Sequence, residues 1–319
     1  MTVDIDFPEK GLIDSFELYR RRKPSVTLIL KRDVVTPVLF RNTEDERAEM
    51  EEFNNTLHAQ VNGEKFVSKE RQTGLDLLRS FDDSELIDPE YAYNEPTDME
   101  ETLNLGTLTY GIAGTGDNEF GIKSRVIEGY TYTTDEYDIM DRETRNAVYE
   151  SGTMQDEDHE QSSALFDHVT VDPGNSFVHF LTLEAGTPAM LAYVLHNVLT
   201  TGVYGARETR SGRTIRNNIL GVVLSDHTAA LSTGELLHAY HNPGDDIVAS
   251  VNEYVNAAQR QDWEVYSDEL DAGESYPEWW GTLTEVAGRQ HPEAKDTLYE
   301  LFADATTEAR DILLDTDDE

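Results

Sequence analysis

Arg207, Arg210, Arg213 and Arg216 recur at every third position in a chain whose formal charge is -39, and Glu208 is the one acid among them. Guanidinium groups make planar, bidentate hydrogen bonds to phosphate. The neighbouring Gly205, Ser211, Gly212, Asn217 and Asn218 add backbone freedom, a hydroxyl and two amides. That mixture suits a loop that grips a nucleic-acid backbone. The other reading is a surface loop whose arginines answer nearby carboxylates, because solvated charge runs are common. The remaining bases are also clustered: Arg20, Arg21, Arg22 and Lys23; Lys31 and Arg32; Lys69 and Arg71; Lys123 and Arg125. Each taken singly fits a salt-bridged patch as well as it fits a ligand site. A nucleic-acid-binding chain is expected to bring them into one positive track. Tyr110, Tyr130, Tyr132 and Tyr204 flank the clusters and are candidates for stacking on bases.

Other chemistries find little support. His238 and His241 stand beside Asp245 and Asp246 without a clear third ligand, so a metal is not expected. Asp226-His227 has no Gly-x-Ser-x-Gly elbow to serve. Gly114-x-Gly116 lacks the third glycine of a dinucleotide site, and there is no Walker lysine. The absence of cysteine excludes thiol catalysis and disulfides. No cofactor is implied, and a binding protein is favoured over an enzyme.

Acids outnumber bases 64 to 25, the signature expected of a halophilic protein. At about 1 M salt the Debye length shrinks to roughly 3 Å, which screens the self-repulsion of so acidic a body. Disorder is the competing explanation, but 38% apolar residues supply a core. No apolar run approaches membrane-spanning length and the N-terminus lacks signal-peptide features, so a cytoplasmic location without membrane partners is expected.

The elements that must position these groups begin with a β-branched strand over 25–35. Thr43 and Glu46 form a capping-box pattern that predicts a solvated helix over 44–57. A short helix is expected over 73–80, and alternation predicts a strand over 105–113. That strand turns at Gly114 to Asn118 into a return limb over 122–132. The polar segment 135–163 reads as an insertion over the core, and 177–183 as a central strand. Thr187 at the N-cap, Pro188 at the first helical position and Gly202 as the stop bound a helix. Residues 219–224 return to the sheet, and helices follow over 233–241, 247–261 and 292–314. Strands interleaved with helices outside a regular βα alternation favour an α+β antiparallel sheet with helices on one face.

Three stretches of sequence carry a resemblance. They are Tyr110 to Gly114 with Gly121 to Val126, Asn146 to Met154, and Thr200 to Ser225. Together they resemble the backbone subunit of the type I-D CRISPR interference complex, a Cas-seven-type member of the RAMP superfamily, over residues 12–245. The resemblance implies a single RRM-like (ferredoxin-like) domain over 1–319, with a hairpin tip and lid insertion at 114–163 and a helical extension at 226–319. It implies a non-catalytic subunit that binds CRISPR guide RNA and presents it to target DNA. Its partners would be copies of itself along the RNA and the other subunits of the complex. Lys123, Ser124 and Arg125 match a basic motif expected to contact the guide backbone. Gly205, Arg207, Arg210, Gly212 and Arg213 match the glycine- and arginine-bearing loop, which Arg216 extends. Lys69 and Arg71 fall where relatives carry a denser basic run, interrupted here by Glu70. Arg20, Arg21, Arg22, Lys31 and Arg32 join the set through clustering alone. The rival from the same superfamily is a metal-dependent RNA endonuclease that would use Asp33 or the His238 and His241 pair.

Overall fold

The protein is described from a computed structural model, which covers residues 2–19, 22–40, 49–93, 95, 98–114, 120–137, 143–146, 165–168, 170–206 and 212–314; of 143–146 and 165–168 only the backbone is described. Arg20, Arg21, Arg207 and Arg210 lie outside the described residues, as does most of the insertion expected at 135–163.

Five strands build the main sheet in the order β12-β11-β1-β10-β6, every neighbouring pair antiparallel. They are β1 (Ser25–Val34), β6 (Val126–Ile127), β10 (Ser176–Glu184), β11 (Ile215–Ser225) and β12 (Glu264–Tyr266). A second sheet joins β2 (Glu49–Phe53), β3 (Thr56–Asn62) and β7 (Tyr130–Tyr132), while β4 (Ile112–Ala113) pairs β5 (Gly121–Ile122), and β8 (Glu143–Asn146) pairs β9 (Leu165–His168). The helices are α1 (Glu64–Arg79), α2 (Met99–Thr102), α3 (Leu105–Tyr110), α4 (Pro188–Thr200), α5 (Thr233–Tyr240), α6 (Ile247–Ala258), α7 (Glu278–Ala287) and α8 (Ala294–Leu314).

Helices cover both faces of the main sheet, contrary to the expectation of one. Val26, Leu28 and Leu30 of β1, with Leu181, Leu183, Val222 and Leu224, pack under α1, α4, α7 and α8. Ile29, Val178, Phe180 and Val223 point the other way into a core closed by α5 and α6. The cause is in the strands themselves: every residue of β10 is buried, so neither side is left for water. α4 is buried almost all round, as a helix enclosed by others must be. Its Thr187 side chain accepts from Met190 N and Pro188 opens the first turn, as the sequence predicts.

Two predicted elements are corrected. The described part of 44–57 is a strand hairpin rather than a helix: β2 and β3 meet at Asn54 and Asn55, whose φ of 51° and 62° form the left-handed turn that asparagine tolerates. The segment 105–113 is mostly helix α3, because Asn104 and Thr107 cap each other reciprocally at its start. A register shift between Ile29 and Leu30 makes Leu220 an extra residue in β11. Beyond it, Asn217 pairs with Arg32 and Asn218 with Lys31 in the ladder.

Candidate nucleic-acid interface

Helix α1 holds the arrangement together. Its buried side carries Phe66, Val67, Leu75, Leu77 and Leu78, and its outer side carries the half-buried Lys65, Ser68, Lys69 and Arg71. Lys65 and Lys69 are one helical turn apart and therefore neighbours on its surface.

The limbs of the arginine loop are fastened to the same helix. Thr201 Oγ1 donates to Thr73 Oγ1 at 2.7 Å, and Tyr204 Oη donates to Glu70 Oε1 at 2.9 Å. Tyr204 N and Thr214 N in turn close the loop through Thr214 Oγ1 and Gly202 O. Gly205 and Gly212 take positive φ of 85° and 140°, so the two conformational hinges of the loop sit where side chains other than glycine are strained. Leu39, Phe40, Lys65, Ser68, Lys69, Gly205 and Ala206 line a pocket of about 150 Å³. Arg213 is exposed and lies over Gly202: a β-carbon there would stand 3.3 Å from its Nε.

On the other side of α1 a pocket of about 320 Å³ is lined by Glu64, Val67, Ser68, Arg71, Tyr93, Tyr110, Ser124 and Glu128. Ser68 borders both pockets, so the two are parts of one surface. The Arg71 guanidinium lies over the Tyr93 ring at 4.6 Å, and its Nε and Nη2 are buried without a hydrogen-bond partner. The Gly111 backbone, at φ 77°, admits the segment at Ser124 closely: a β-carbon there would be 2.6 Å from Ser124 N. Burial pushes Glu128 up to about 7, with the Glu64 and Glu70 carboxylates adding to the rise and a backbone hydrogen bond opposing it.

Two predicted contact residues are corrected. Arg32 is 0% exposed: its Nη1 is 2.7 Å from Glu70 Oε1 and also donates to Tyr204 Oη and Asn217 Oδ1, while its Nε donates to His179 Nδ1. A guanidinium so enclosed is a core group and cannot reach a ligand. Arg125 is 7% exposed, stacked on Tyr19 at 3.2 Å from the ring centre, and its side chain is committed to that packing. Lys31 and Arg216 are more accessible but belong to the sheet face opposite Arg32. There Asp33 accepts from Lys31 Nζ, Ser176 Oγ and Asn218 Nδ2. Arg22 and Lys23 are exposed beyond Tyr19, with Lys23 3.7 Å from Glu184.

The structure therefore brings Lys69, Arg71, Ser124, Gly205 and Arg213 around α1, and it separates Lys31, Arg32 and Arg216 from them. Lys65, Tyr93 and Glu128 join the surface without having been singled out. The spacing of Lys65 and Lys69 was the available signal, hidden because the helix was expected to begin at 73 rather than 64. The histidine pair does not form a metal site: His241 is buried, with Nδ1 3.0 Å from Ser250 Oγ and Nε2 3.0 Å from Thr134 O, so both ring nitrogens are engaged. Among the described residues no helix is long and apolar enough to cross a membrane.

A family model described as Csc2 Crispr matches residues 24–276. The crystal structure of Thermofilum pendens Csc2 superposes with a TM-score of 0.59 at 17% identity, covering 95% of this chain and 94% of that one. A chain of a CRISPR RNA-guided surveillance complex, pre-nicking, gives 0.56 at 11% identity over 84% of this chain and 100% of that one. A chain of a further CRISPR RNA-guided surveillance complex gives 0.52 at 10% identity with the same coverage. At these identities the superpositions establish a shared fold. No protein of curated function matches by sequence.

Proposed function

Because the chain belongs to the Csc2 CRISPR family, we propose that it is a non-catalytic backbone subunit of a type I-D interference complex, binding CRISPR guide RNA along α1 and stacking with copies of itself along that RNA. The guide so held is presented to target DNA, and the other subunits of the complex are its further partners. The observation that carries this is the joining of two surface pockets by one helix: Lys65 and Lys69 beside Gly205 and Ala206, and Arg71, with Glu64 and Glu128, beside Ser124, the two meeting at Ser68. An RRM-like core is part of the proposal. It is supported by the strand order β11-β1-β10-β6, with α1 following β1 after the inserted β2–β3 hairpin and α4 following β10. Arginine suits the role in a halophile, because directional bidentate bonds survive when long-range attraction is screened.

The experiment is assembly on RNA of graded length. Single-stranded RNA added to the purified 36.0 kDa protein is expected to yield complexes whose masses rise in whole protein units as the RNA lengthens. A mass that stays at one protein unit on long RNA, or protein that ignores RNA, would contradict the proposal. Cuts in labelled RNA that require a divalent ion would favour the endonuclease instead.

A further inference from the structure

A groove for a polyanion has no obvious use for an acid, yet Glu128 lines the Arg71 pocket. It is held there by packing: a β-carbon on Gly63 would stand 2.7 Å from the Glu128 β-carbon, and Gly63 N donates to Gly129 O at 3.0 Å. The charged and titratable groups facing it are Glu64 and Arg71 from α1, Glu70 deeper on the same helix, Tyr93 from the loop before α2, and Tyr110 from α3. Arg71 lines the same pocket, and its Nε and Nη2 are buried without an acceptor.

We propose that this pocket is a phosphate subsite of the RNA groove, in which the Glu128 carboxyl donates a hydrogen bond to a phosphate oxygen that the Arg71 guanidinium also binds. The proposal rests on the RNA-binding reading above and adds its pH dependence. A carboxyl pushed up to about 7 is already half protonated near neutrality. An arriving phosphate is one more negative charge beside Glu64 and Glu70, and it favours the neutral form further. The carboxylate takes the proton from solvent or buffer acid, forming one O–H bond as the donor loses one, and that O–H hydrogen-bonds to the phosphate with no bond to phosphorus changing. An ionised Glu128 would instead repel the same oxygen. Filling the subsite is thus linked to uptake of one proton at most, and affinity falls as pH rises through neutrality, by a limiting factor of about ten per pH unit per subsite.

The test is binding of a fluorescently labelled single-stranded RNA from about pH 6 to about pH 9 at constant KCl, with the natural protein, Glu128→Gln and Arg71→Ala. The natural protein should lose about tenfold or more across this span. Glu128→Gln, always neutral and still a donor, should bind without that loss, and Arg71→Ala should bind weakly throughout. Calorimetry in two buffers of different ionisation heat should detect proton uptake with the natural protein and none with Glu128→Gln. A flat profile in the natural protein, or the same slope in Glu128→Gln, overturns the subsite while leaving RNA binding intact. Failure of the natural protein to bind RNA at any pH overturns both.

Discussion

Arg32 Nη1 lies 2.7 Å from Glu70 Oε1 in a part of the core where both side chains are fully buried. The pair joins β1 to α1, and Tyr204 Oη bonds both partners, so the root of the arginine loop is fixed to the same two elements. Arg32 is also held over the Phe66 ring at 4.6 Å. The positive charge that looked like a ligand contact is a rivet in the core beneath α1, the helix that carries the half-buried Lys65, Lys69 and Arg71.

Removing one partner leaves an uncompensated buried charge. Arg32→Met or Glu70→Leu alone is expected to lower stability by about 3–5 kcal/mol, whereas the joint replacement should recover most of that loss. Denaturant unfolding of the three variants measures this. A joint loss equal to the sum of the two single losses would show that the charges do not act as a pair.

His179 supplies an acid-sensitive step. Burial, followed by the Arg32 charge, holds its pKa well below the ordinary histidine value, and Nδ1 accepts from Arg32 Nε, which keeps that nitrogen unprotonated. The folded protein therefore declines a proton that the unfolded chain accepts near pH 6.5. The stability contribution is complete above about pH 6.5 and is lost progressively below it. His58 and His196, also lowered chiefly by burial, act in the same direction. Unfolding midpoints measured from about pH 8 to about pH 5 should fall on the acid side, and His179→Gln should reduce the slope.

The elements written in local chemistry were legible. Thr187 and Pro188 open α4, and the β-branched run of β1 and the apolar stretch of β11 appear where their residues indicate. The failures have physical causes. The Thr43 and Glu46 pattern opening the acidic segment 44–57 suggested a solvated helix, whereas the decisive signal was the Asn54-Asn55 turn and the small sheet that the hairpin completes with β7. Alternation over 105–110 suggested a strand, but the Asn104 to Thr107 cap outweighed it.

The candidate site was legible as residue types and less so as positions. Lys69, Arg71, Ser124 and Gly205 do gather around α1. Arg32 looked equivalent to Lys31, because neighbouring residues on a strand face opposite ways and only the fold decides which one meets Glu70, 38 positions along the chain. Glu128 was invisible for the same reason: its role comes from Arg71 and Gly63 across a gap in sequence.

The central claim, that RNA lies along α1, is tested most directly by the salt dependence of single-stranded RNA binding to the natural protein and to Lys65→Ala/Lys69→Ala/Arg71→Ala. On single strands each neutralised phosphate contributes about 0.7 to the slope of log K against log salt. The account predicts that the triple variant binds much more weakly, with a slope shallower by about 2, and keeps its circular dichroism. Unchanged affinity and slope in a folded triple variant would contradict it.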